Sequence, residues 1–295
     1  METLISNFTL NQKVKDDVFD VDLIAQYILS LQLGNDSFRF CVVDSVFKKC
    51  LWLEDYNFQP VFSAEQTINQ LEQIYDEHQV LRAGFWKDIR LSFRNQNFTL
   101  VPNVLFKPQN ASDYLKVSNG HYIPDKDVFY HQHASDGFVN VFKADHKVLE
   151  WFNSAYTSRD IRPLHQNSSF IEGVIQQKIS FNERAMFISI EKNYITIVIC
   201  QDKQIEFCNT FVYQNEQDFV YYVMLVMDGL QLNPEECKVI LLGEIVDKSP
   251  IFSNLFKYVR NISLGNRPSH LRFSYRFDEV LEQRYFDLYN IYLCE

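Results

Sequence analysis

Two short turns hold the residues of this chain whose types and spacing best suit chemistry: Gln32-Leu33-Gly34-Asn35-Asp36-Ser37 and Glu191-Lys192-Asn193-Tyr194. Each joins the first two of three strand-like runs. A turn in that place can offer backbone N–H groups to a phosphate, with a glycine for close approach and a hydroxyl or carboxylate beside it. Both are poorly equipped. The first has Gly34 and Ser37 but carries the amide of Gln32, while the second has Glu191 and Asn193 but no glycine. With only 8 glycines in 295 residues, few loops anywhere in the chain can cradle a phosphate.

Other constellations are weaker. His131-x-His133 sets two imidazoles on one face of a strand and His146 follows, but no third firm metal ligand accompanies them. Asp125, Asp127, Asp136 and Asp145 lie in loop-rich sequence and read as solvated carboxylates. No Gly-x-Ser-x-Gly, Walker A, His-Glu-x-x-His or cysteine-nucleophile signature occurs. The six cysteines include no Cys-x-x-Cys and are expected as free thiols, so no metal is expected.

The elements that must position these turns are repeated. Residues 28–58 read as strands ILSLQLG, SFRFCVVD and KKCLWLEDYNF, followed by the helical SAEQTINQLEQIYDEH with Ser63 as N-cap and Gln66 at the capping-box position. Residues 185–213 repeat the meander as AMFISIE, YITIVICQ and IEFCNTFVY, and Asn215 caps a helix that is apolar nearly all round. Such a helix is expected to lie buried between layers. The second copy continues as strand CKVILLGEI, helix SPIFSNLFKYV, strand RNISL, strand HLRFSYRF and a last helix over 278–293. The first copy carries an insertion near 80–125, containing DIRLSFR, NFTLVPNVLF and the helix ASDYLKVS. It then resumes with VFYHQHA, GFVNVFKA, helix HKVLEWFNSAY, strand IRPLHQ and a helix over 168–181.

The net charge of −10, from 28 basic and 38 acidic residues, disfavours nucleic acid and anionic membranes as partners. The amino-terminal stretch shows no basic n-region or apolar h-region, and the apolar run FVYYVMLVM is shorter than the roughly 20 residues a membrane span needs. A cytoplasmic location without membrane insertion is expected.

A duplicated βββαβαβα unit resembles the actin-like ATPase (ribonuclease H-like) superfamily. Through FTLVPNVLF at 98–106, LRFSYRF at 271–277 and FDLYNIYLCE at 286–295, the whole chain is similar to a Bacteroidetes family of unknown function with that fold. The nearest functional relatives by architecture are actin-like proteins of pilus assembly and cell division. The resemblance implies two α/β domains, 1–166 and 167–295, with mixed sheets, an inter-domain cleft and a C-terminal helix that packs back on the first domain. It also implies an ATP and magnesium site. There each first hairpin carries Asp-x-Gly-[Thr/Ser], and a Gly-Gly turn in the second half seats the adenosine.

This chain departs from that pattern in each of the three turns. Gln32 stands where the acid belongs and cannot act as a base or neutralise a cation. Glu191 could replace the second acid, but Tyr194 would crowd a phosphate. The adenosine turn reads Leu242-Gly243-Glu244-Ile245, with one glycine kept and a carboxylate in the second place. The vestigial nucleotide positions are therefore Gln32, Gly34, Asn35, Ser37, Glu191, Asn193 and Gly243. The expectation is a non-catalytic scaffold or adaptor with an unidentified protein partner and no cofactor. The alternative is an ATPase or nucleotide-switched protein using Glu191 and the Gly34 turn.

On the strand reading of 271–277, Arg272 and Arg276 share the outer face, and Arg267 lies nearby. Such a face suits an acidic partner segment or single-stranded RNA.

Overall fold

A computed structural model describes residues 8–133, 137–177 and 183–294. They form two compact units, each made of discontinuous chain. Unit 1 takes the described residues through Ser169, then 270–279 and those from Ile291; unit 2 takes Phe170–Ser269 and Val280–Asn290.

Unit 1 begins with β1 (Phe8–Lys15), β2 (Tyr27–Leu33), β3 (Ser37–Asp44), β4 (Lys49–Phe58) and helix α1 (Ala64–Glu77). Next come β5 (Asp88–Phe93), β6 (Phe98–Pro102), α2 (Ala111–Asn119), β7 (Val128–Gln132), β8 (Phe138–Lys143), α3 (His146–Ala155), β9 (Pro163–His165) and α4 (Gln166–Ile175), which runs on into unit 2. The main sheet has the order β1-β4-β3-β2-β5-β9. β2 to β4 form the antiparallel meander read from sequence, while β5 pairs with β2 and β9 with β5 in parallel. Every residue of β2 and β3 is buried, as central strands covered on both faces must be.

Helix α1 starts as the sequence predicts. Ser63 accepts from Gln66 N–H at 3.2 Å, and the Gln66 side chain accepts from Phe62 N–H at 3.0 Å. Its buried Tyr75 meets the rings of Phe38, Trp151 and Phe152, which ties α1 to the sheet and to α3.

The insertion differs from expectation. DIRLSFR is not part of it: as β5 it is a main-sheet strand. VFYHQHA and GFVNVFKA do not resume the main sheet. As β7 and β8 they join β6 in a separate sheet of order β6-β8-β7, packed on α2 through Val101, Leu115, Val139 and Val141.

Unit 2 contains β10 (Arg184–Ile190), β11 (Tyr194–Gln201), β12 (Gln204–Val212), α5 (Glu216–Gly229), β13 (Lys238–Gly243), α6 (Pro250–Leu255), β14 (Asn261–Leu264) and α7 (Phe286–Asn290). Its sheet order, β12-β11-β10-β13-β14, repeats β4-β3-β2-β5-β9 of unit 1 strand for strand. The fold is a duplicated α/β unit. Its core joins Ile188, Ile197 and Leu241 of the sheet to Phe219 and Val223 of α5.

Three expectations on this side are corrected. Helix α5 is not buried all round: Phe219, Val223, Val226 and Met227 face inward while Tyr221 and Leu225 stay exposed, because only one layer covers it. Residues 271–277 form no strand. One bridge joins Arg272 to Lys49, and a 3-10 turn follows over Tyr275–Phe277, since no neighbouring strand offers a ladder. The helix over 278–293 shrinks to α7 and a 3-10 turn over Ile291–Leu293. Of the helix over 168–181, the part from 178 lies outside the described residues, as does Asp136.

Candidate functional site

In unit 1 the β2–β3 turn is closed upon itself. Gly34 N–H donates to Ser37 C=O at 2.8 Å, Val61 N–H donates to Asn35 C=O at 2.8 Å, and Phe58 N–H donates to Asp36 C=O at 2.9 Å. Because β5 runs parallel to β2 with Leu33 opposite Phe93, the next residue, Arg94, arrives beside Gly34. A Cβ built on Gly34 would come within 3.0 Å of Arg94 Nε and 3.2 Å of its Nη2. Arg94 Nη2 also donates to Ser37 Oγ and lies 3.4 Å from Asp36 Oδ1. The guanidinium thus lies directly against the side of Gly34 that lacks a Cβ.

Gln32 lies below the turn, 1% exposed. Its cross-strand partners are Arg39 on β3 and Ser92 on β5, and Arg39 in turn pairs with Asp55 on β4. Arg39 Nε donates to Asp55 Oδ1 at 3.2 Å, both side chains being buried. The acid that neutralises charge here is Asp55, two strands from Gln32, and the ion it holds is a guanidinium.

In unit 2 the counterpart turn is likewise engaged. Glu191 N–H donates to Tyr194 C=O at 3.0 Å, Tyr213 O–H donates to Glu191 C=O at 2.7 Å, and Tyr213 N–H donates to Asn193 C=O at 3.1 Å. Glu244 N–H donates to Ile190 C=O at 2.7 Å, next to this turn, and the Tyr213 phenol is raised by burial first and then by the charges of Glu244 and Glu191. Two anions there oppose a polyphosphate.

Gly243 has φ +87°, and a Cβ on it would overlap the Ile190 carbonyl. It is required by that conformation and by close approach to β10. Gln283 closes the same turn, accepting from Gly243 N–H at 2.9 Å through its carbonyl and donating its side-chain amide to Ile245 C=O.

Of the three arginines, Arg272 and Arg276 fall in unit 1 and Arg267 in unit 2. Arg276 holds Asp17 in a two-point pair at 2.9 and 3.1 Å. Arg272 is fixed through its backbone, its N–H donating to Lys48 C=O and its C=O accepting from Cys50 N–H. Arg267 belongs to unit 2 and donates to Val280 C=O at 2.7 Å.

Asp127, Asp145 and His146 approach one another in unit 1, and their geometry is that of a helix start. Asp145 caps α3 through Lys147 and Val148 N–H, and His146 Nδ1 lies 2.7 Å from Asp127 Oδ1. The positive end of α3 opposes a cation there.

Sequence reasoning missed Arg94 and Gln283. Parallel pairing of the fifth strand with the first would have pointed to Arg94, because strands in such a register end together. Nothing local marks Gln283.

Residues 16–262 match a family model described as "Protein of unknown function (DUF3822)". No curated protein matches. A Bacteroides thetaiotaomicron crystal structure, described as a protein with actin-like ATPase fold and unknown function, superposes with TM-score 0.79 at 21% identity, covering 94% of this chain and all of that one. The PilM–PilN type IV pilus biogenesis complex gives TM-score 0.55 at 12% identity, over 90% of this chain and 97% of that one. The actin-like ATPase fold is thereby shown. No helix among the described residues is long and apolar enough to cross a membrane.

Proposed function

The chain belongs to the DUF3822 family, and from that premise we propose that it is a non-catalytic scaffold or adaptor of the cytoplasm that holds a partner protein in place of a nucleotide. The observation that carries this reading is Arg94. Its guanidinium sits in the space that Gly34 leaves, and it is tied to Ser37 and Asp36. Gln283 does the equivalent in unit 2 by clamping Gly243 and Ile245. A fold that kept its hairpins while its own side chains took up their polar groups has given up the ligand and retained the surface. A protein of the same fold, PilM, is known in complex with a protein, PilN.

The test is thermal. A ligand at 100 times its dissociation constant adds about 2.7 kcal/mol to stability. Millimolar Mg-ATP is expected to leave the melting temperature unchanged. A rise that Gly34→Val abolishes would defeat the scaffold reading.

A further inference from the structure

We propose that the outer edge of β12 in unit 2 pairs with β12 of a second copy of this chain, antiparallel and about a two-fold axis normal to the sheet, so that two unit 2 sheets run on as one. The inference goes beyond the scaffold reading and does not depend on it.

The duplication shows that this edge is open where its counterpart is closed. Leu33, Phe38 and Tyr56 stand in line across β2, β3 and β4, as Ile190, Ile195 and Phe211 do across β10, β11 and β12. The register breaks at the same place in both copies, after Val42 and after Ile199. Trp52–Asn57 therefore corresponds to Phe207–Val212. In unit 1 that stretch is covered by β1, from Lys15 opposite Trp52 to Thr9 opposite Asn57. In unit 2 β12 ends its sheet, and no strand among the described residues pairs with its far side. Tyr213 N–H donates to Asn193 C=O, so the alternation of an antiparallel ladder points the N–H and C=O groups of Cys208, Thr210 and Val212 away from β11. The Thr210 N–H accordingly meets an exposed acceptor, Asn209 Oδ1, at 2.8 Å.

Exposed edges are ordinarily guarded by charge, proline or a bulge. β1 has such guards in Lys13, Lys15 and a register break between Leu10 and Gln12. Phe207–Val212 has no charged residue, no proline and no register break, and the adjoining Glu206 is held by Arg184 at 2.6 Å. In a chain of net charge −10, an uncharged edge is where two copies can meet without opposing like charges.

The helix over the sheet selects a second copy rather than a lone strand. Counted from the N-caps Ser63 and Asn215, Asn69 and Gln73 of α1 correspond to Tyr221 and Leu225 of α5. In unit 1, where a lone strand closes the edge, this stripe is polar, and Gln73 donates to Asn69 at 3.0 Å. In unit 2 it is apolar and exposed. It also adjoins the edge: Tyr221 meets Tyr222, whose ring stacks on Phe211 with centroids 4.9 Å apart. A two-fold axis normal to the sheet brings the second α5 to the same side, so that each apolar stripe faces its counterpart. With Thr210 opposite Thr210 of the second copy, Cys208 lies opposite Val212 and Asn209 opposite Phe211. Cys208, Thr210 and Val212 then exchange N–H and C=O bonds across the axis.

The test is sedimentation velocity on the full chain from about 1 to 100 μM, with amide hydrogen exchange at both ends of that range. A dimer whose share rises with concentration is expected, and exchange over 207–212 should slow as it forms. Asn209→Lys places like charges near the axis, and Val212→Pro removes an outward N–H. Each is expected to raise the dimer dissociation constant at least about tenfold. Dilute protein keeps the wild-type melting temperature in both, because the two side chains are exposed and the Val212 N–H points away from β11. A monomer at every concentration would overturn the proposal and leave the edge to a strand of another protein. A dimer indifferent to both variants, or one without slowed exchange over 207–212, would place the interface elsewhere and overturn it equally.

Discussion

Glu54 takes four side-chain donors inside unit 1: Trp52 Nε1 at 2.9 Å, Lys13 Nζ at 2.8 Å, His78 Nε2 at 3.1 Å and the Tyr56 hydroxyl. Burial alone would push its carboxyl up, but the donors of His78, Lys13 and Tyr56 outweigh burial and hold it at about 2. An unfolded glutamate titrates near 4.5, so this group contributes about 3 kcal/mol above that pH and loses it as the pH falls toward 2. His165 acts earlier in the same direction. Burial lowers its imidazole to about 3, against the opposing bond to Asn95 C=O. The unfolded chain binds that proton from about pH 6.5 downward and the folded chain does not, so stability falls as pH drops through that window. Urea midpoints are expected to decline already between pH 7 and 5.5, and His165→Gln is expected to flatten that slope. A midpoint constant down to pH 5 would contradict it. Neither residue announces itself in sequence, because Lys13 and His78 lie far from Glu54 along the chain, as Asn95 does from His165. Gln32, Tyr194 and Glu244 were legible, since a missing acid or glycine is visible within one turn. Arg94 was not, because it reaches Gly34 only through the β2–β5 register.

Local signals foretold whole elements well where the cause is local. Ser63 and Asn215 cap α1 and α5 as read, each through a bond spanning three residues. Strand β1 escaped notice although Phe8, Leu10 and Val14 alternate with polar residues, and most of its residues are exposed. The reverse error befell 271–277, whose alternation is regular but which has only the Lys49 bridge to pair with. At this scale Gly243→Ala is the informative variant. Alanine at φ +87° overlapping Ile190 C=O should cost roughly 2–4 kcal/mol, seen as a lower denaturant midpoint. No loss would mean that the β13 end can move away from β10. Ser63→Ala should cost about 1 kcal/mol by the same measurement.

Over the whole molecule, duplication is the feature most legible in sequence. All three tryptophans, Trp52, Trp86 and Trp151, fall in unit 1. Tryptophan fluorescence therefore reports one unit and far-UV circular dichroism both. In Gly243→Ala, part of the dichroism should be lost at lower urea while the fluorescence midpoint stays in place. Coincident shifts would show a single cooperative transition. Unit 1 also depends on residues from late in the chain: Arg90 donates to Ile291 and Tyr292 C=O, and Lys49 bridges to Arg272. During translation these partners leave the ribosome only after Phe170–Ser269 of unit 2 has been made. Early-born unit 1 must wait in an unfinished state, with the β5 side and the β4 end uncovered, while later-born residues emerge. A truncation or stalled ribosome before Arg272 would release a unit 1 that is long enough to collapse and too short to close, which is the form of this chain most exposed to chaperones and proteases.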